Sequence, residues 1–169
     1  MKYIITLTIA LFSVTTFAQD AVEKYFSAYA NDDSFTSISI SGKMFQLLTH
    51  IEGQTDEEKE ILETVSKLEG MRMLVKSEAE DVQSMYRSSI KMLGNEFEEL
   101  MRVEDNEEDL IFFIREQKGL VRELVLIGSG GGELFIMSIL GDIDLNQIAK
   151  IGRAVQVDGF EHLEKIGEE

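Results

Sequence analysis

The chain has 169 residues, with 16 Lys and Arg against 32 Asp and Glu, for a formal charge of −16. Such a surface repels nucleic-acid phosphates and anionic lipid headgroups, and attracts a cationic peptide, a basic protein face or a divalent cation. With no cysteine there is no disulfide framework and no thiol nucleophile, so an apolar core must hold the fold together.

The first segment reads as an export leader. Lys2 supplies a positive start, Tyr3 to Val14 an apolar run, and Thr16-Phe17-Ala18 small residues ahead of a cut before Gln19. The run is too short to cross a bilayer, which takes about 20 residues. A lipid anchor would need a cysteine at the cut. Residues 1–18 are therefore expected to be removed, leaving 19–169 as a single domain, periplasmic or secreted, with no stable membrane anchor. Its core is expected over residues 20–152, with a C-terminal tail over 153–169.

Val22, Tyr25, Phe26 and Tyr29 lie on one helical face, which predicts a helix over Ala21 to Ala30. Phe35 to Ser41 follows as a strand, with Ile38 and Ile40 alternating against serines. Met44 to Ile51 reads as a short helix ended by Gly53. Capping boxes announce three more helices: Thr55 with Glu58, Ser77 with Glu80, and Asp144 with Gln147. Between the first two, Met71 to Lys76 reads as a strand bounded by Gly70 and Ser77.

From Phe97 to Gly141 the pattern becomes a run of strands. The acidic turn Asp105 to Asp109, the Lys118-Gly119 turn and a loose loop over Gly128 to Gly132 separate them. Consecutive strands on short turns make a meander. The expected class is α+β: an antiparallel meander sheet of about four to six strands, packed with about five helices.

Leu110 to Ile114, Leu124 to Ile127 and Leu134 to Met137 are apolar at every position. Either helices cover both faces of this sheet, or one face is left for a partner. The residues to inspect as a contact face are Phe112, Phe113, Ile114, Phe135 and Met137.

Motifs for chemistry are sparse. Asp105 to Asp109 lacks the alternate acids, the glycine and the distant glutamate of an EF-hand, and reads as a hairpin tip. Gly128 to Gly132 precedes a strand, whereas a phosphate cradle opens a helix. Asp142 and Asp144 could share a proton or a metal, but a turn and a helix cap are their ordinary tasks. His50 and His162 lack a second imidazole at ligand spacing. No catalytic, metal-binding or cofactor-binding residue is assigned, and no cofactor is called for.

Several segments together resemble the bacterial family catalogued as "domain of unknown function 4252". In the front half these are Phe35 to Leu48 and Leu68-Glu-Gly-Met71. In the rear half they are Phe97 to Val103, Glu123-Leu-Val-Leu126 and Ile139 to Leu145. The resemblance spans roughly Phe35 to Ile151. It implies an exported protein of a Gram-negative bacterium, and many members carry lipoprotein signals, from which this chain departs by lacking the lipid-accepting cysteine. It supplies no catalytic residues.

The function expected is non-enzymatic binding of an envelope protein or basic peptide, with oligomers open as a further outcome. The alternatives are a periplasmic hydrolase using the carboxylates near Asp142 and Asp144, or a small-molecule carrier with a pocket between sheet and helices.

Overall fold

A computed structural model describes residues 20–50, 55–104, 106, 108–146 and 148. The expected leader and cut, the helix end at Ile51 and Gly53, Asp105, Glu107, Gln147 and the expected tail lie outside the described residues. In chain order the elements are α1 (Ala21–Tyr25), α2 (Ser27–Ala30), β1 (Thr36–Ser41), α3 (Gly42–Leu48), α4 (Asp56–Ser66), β2 (Leu68–Lys76), α5 (Val82–Met92), β3 (Glu98–Glu104), β4 (Glu108–Gln117), β5 (Leu120–Gly130) and β6 (Glu133–Ile143).

The six strands form one sheet in the order β1-β2-β6-β5-β4-β3, with every neighbouring pair antiparallel. Strands β3 to β6 are the expected meander. The last of them returns beside β2, with α5 carrying the chain across. This is the α+β class with six strands and five helices.

Several elements differ from their sequence patterns, each for a local reason. The helix expected over Ala21 to Ala30 is two, broken at Phe26, whose φ of −112° and ψ of 19° leave the helical region while its ring is fully buried. Strand β2 begins at Leu68, earlier than Gly70 suggested, because Gly70 pairs with Leu140 beside a bulge and so extends the ladder. Ser77 does not start α5. Its hydroxyl donates to Glu133 Oε1 at 2.7 Å, and Asp81 is the cap, its carboxylate accepting the Ser84 N–H at 3.1 Å. The loop expected over Gly128 to Gly132 is a tight two-residue turn. Gly131 and Gly132 have φ of 58° and 83°, the left-handed pair that matches the twist of a hairpin.

Other readings hold. Thr55 and Glu58 make both bonds of the capping box, each at 3.1 Å. Lys118 and Gly119 form the β4–β5 turn with φ of 58° and 78°.

Strand alternation splits the core into two clusters. On one face Leu74, Ile111, Phe113, Val125, Ile127, Leu134 and Ile136 pack with Val22, Phe26 and Tyr86 from α1, its C-terminal boundary and α5. On the other, Leu110, Phe112, Leu124, Leu126, Met137 and Ile139 join Phe45 of α3, Val65 of α4, Leu145 and Ile148. Both faces thus carry buried apolar clusters, which is why the central strands read as unbroken apolar runs.

Candidate functional site

The residues singled out as a contact face do not share one side of the sheet. Phe112, Ile114, Phe135 and Met137 belong to the second cluster, and Phe113 to the first. Phe112, Phe113 and Met137 are buried, while Ile114 and Phe135 are half-buried. Phe135 lies over Gly128, where an added Cβ would come within 2.3 Å of its ring. The bare glycine backbone gives that ring its seat.

The carboxylates near the end of β6 have separate partners. Asp142 forms an ion pair with Arg122, and Asp144 accepts the Asn146 N–H at 3.0 Å. In the acidic turn, Asp109 accepts a bond from Gln83 Nε2 at 2.6 Å. Among the described residues no group of three or more His, Cys, Asp or Glu side chains could hold a metal ion.

A different polar cluster, missed in the sequence, lies in the middle of the first face. Glu123 of β5 is fully buried. Its Oε1 accepts the Ser138 hydroxyl at 2.5 Å and the backbone N–H of Ala21 at 2.6 Å. Its Oε2 accepts Arg115 Nη2 at 2.7 Å and Nε at 3.1 Å. Burying a carboxylate is costly unless such donors replace its water. Here they come from three elements. Beside them, Asp20 accepts the Glu23 N–H at 2.8 Å and pairs with Arg72 Nε at 2.9 Å. The start of α1 is therefore tied to β2, β4, β5 and β6.

The end of the same helix has its own clasp. Lys24 Nζ lies 2.6 Å from Glu96 Oε1, and the Tyr25 hydroxyl donates to the same carboxylate. The Lys24 ammonium, with the Tyr25 hydroxyl second, lowers the Glu96 carboxyl from its ordinary 4.5 to about 2. Tyr25 also meets Phe97 edge-on, ring centroids 6.3 Å apart, and the Arg115 guanidinium sits 5.8 Å above Phe97. These contacts link the two clasps.

The sequence did hold a signal for this cluster. Glu123 and Ser138 are the polar interruptions next to the apolar runs of β5 and β6, and a polar group in such a run needs a partner. What could not be read was the β5–β6 register, which brings two residues 15 apart in the chain together across the sheet. Chemically the cluster is closed. Glu123 and Ser138 have no exposed surface, so its role is to seat α1.

Surface apolar groups gather elsewhere. Among the described residues the exposed large ones are Ile38, Met44, Leu47 and Leu120. The first three lie on β1 and on α3, which follows it directly and packs over β1 and β2.

A family model described as "Domain of unknown function (DUF4252)" matches residues 29–151. No curated protein and no solved structure matches the chain.

Proposed function

Taking as premise that the chain belongs to the DUF4252 family, we propose that it is an exported, non-enzymatic domain that binds a protein or peptide in the cell envelope. The observation that carries this reading is the position of Ile38, Met44 and Leu47, 42%, 49% and 53% exposed at one end of the sheet. Exposed apolar groups on consecutive elements of a charged surface suit a contact site. With Phe112, Phe113 and Met137 buried in the chain itself, the contact surface proposed moves to β1 and α3.

Export rests on the leader-like residues 1–18. Release without a lipid anchor rests on the absence of cysteine. The acidic charge favours a basic partner, whose approach it would accelerate at low salt. The test is capture of envelope proteins by the purified chain at low and high salt, beside a Met44→Asp/Leu47→Asp variant. Surface changes of this kind alter stability by about 0.5 kcal/mol or less, so the fold should persist. The reading expects a retained protein that the variant loses. A chain that retains nothing at either salt, or a variant that binds equally well, contradicts it. Hydrolysis of an ester, glycan or phosphoester that disappears on Asp142→Asn would favour a carboxylate enzyme instead.

A further inference from the structure

Strand β1 is an edge of the sheet among the described residues, and the two edges are built differently. Strand β3, at the far side, carries Glu98, Glu99, Arg102 and Glu104 and a bulge between Glu99 and Met101. Charges and bulges of this kind discourage a second sheet from pairing with an edge. Strand β1 has neither. Its sequence is Thr-Ser-Ile-Ser-Ile-Ser, its register against β2 runs from Thr36 to Ser41 without a shift, and Thr36 to Ser39 are exposed. It is the one described strand with no charged residue, in a chain of net charge −16.

The strand is also a palindrome. Ser37-Ile38-Ser39-Ile40-Ser41 reads the same in both directions about Ser39. A twofold axis normal to the sheet, midway between two facing Ser39 residues, would pair two such strands antiparallel with each residue opposite its own kind. Ile38 would face Ile40 of the other copy, Ser37 would face Ser41, and Ser39 would face itself. Because the period along a strand is two, this register keeps isoleucines on one face and serines on the other. The same axis places α3 of both copies on the same side of the joined sheet, bringing the exposed Met44 and Leu47 to the side of the seam that the helices occupy.

We propose that β1 pairs with β1 of a second copy of this chain, joining two six-stranded sheets into one. This rests on the reading of the β1–α3 end as a protein-binding surface, and it takes the occupant to be a second copy in place of a basic partner. An isologous contact needs a self-complementary patch, and the palindrome supplies one. The neutrality of the strand removes like charges from the seam. Repulsion between the rest of the two acidic surfaces remains and is screened by salt. Dimer formation therefore strengthens as salt rises, the opposite of binding a basic partner.

The test uses the absence of cysteine in the chain. In the proposed register the two Ser39 Cα atoms stand about 4.5–5.5 Å apart, inside the range of about 4.4–6.8 Å that a disulfide spans. The two Ser37 residues are offset by four positions, about 13 Å along the strand. Protein purified from cells expressing the full chain should sediment at twice the chain mass, more completely at higher salt. Ser39→Cys should cross-link to itself under a mild oxidant, and Ser37→Cys should not. A mixture of Ser37→Cys and Ser41→Cys chains should cross-link again. A monomer at every salt, with equal traces of product from Ser39→Cys and Ser37→Cys, overturns self-pairing. If that monomer still captures another protein through Leu47, the binding reading survives; if it captures nothing, both fall.

Discussion

Glu123 is the residue on which the first face of the sheet turns. A carboxylate with no exposed surface is stable there because Arg115, Ser138 and the Ala21 N–H all donate to it. Glu123→Ala strips the partner from a largely buried guanidinium and from the α1 terminus. It should cost about 3–5 kcal/mol in chemical denaturation, the range for breaking a buried pair from one side. Ser138→Ala, which removes one donor, should cost about 1–2 kcal/mol. The hydroxyls of Tyr86 and Ser89 present the converse case. Both are buried with no hydrogen-bond partner among the described residues, and burial pushes the Tyr86 phenol up to about 12. Tyr86→Phe and Ser89→Ala should leave the melting temperature unchanged or raise it, since each removes an unpaired polar group. A clear fall for both would show that these hydroxyls have partners. Glu96 adds a pH signature. Its carboxyl is held below its ordinary 4.5, at about 2, so the unfolded chain takes up that proton first as pH falls. The stabilisation is fully present above 4.5 and fades towards 2. The stability gap between wild type and Glu96→Gln should close over that window, and a gap constant with pH would contradict the clasp.

At the scale of elements, what could be read in advance depended on how local the physics was. The box at Thr55 and Glu58 is satisfied within one helical turn, so spacing alone revealed it. Ser77 and Glu80 have the same spacing, yet Ser77 bonds to Glu133 across the sheet and Asp81 takes the cap. That choice was made by β2 running on to Lys76 beside Leu134, a long-range fact. Thr55→Ala and Asp81→Ala should each cost about 1 kcal/mol, the usual loss of a cap. Ser77→Ala, at an exposed side-chain bond, should cost less than Asp81→Ala in the same thermal unfolding series. The reverse order would restore Ser77 as the start of α5. Similarly, Gly128 to Gly132 announced a turn, but which two glycines form it followed from pairing of Gly130 with Glu133.

For the whole molecule, the class and meander were legible because strand alternation and turn chemistry repeat along the chain. The apolar runs alone leave burial on both faces open, since a sequence does not show which helices lie above them. Phe112 illustrates the point. Its apolar run offers it to a partner, yet its ring is fully buried within the chain; Phe112→Ala should therefore cost about 3–5 kcal/mol of stability. The surface proposed for recognition is the neutral edge β1 with Met44 and Leu47, which composition alone does not distinguish from the rest of an acidic exterior. The most direct measurement is site-specific photo-crosslinking in living cells, with the reactive group at Leu47 and, as a control, at Leu120, which is similarly exposed but lies on the β4–β5 hairpin. The account predicts a discrete protein adduct from position 47 and none from position 120. No adduct at 47, or equal adducts at both, would contradict it.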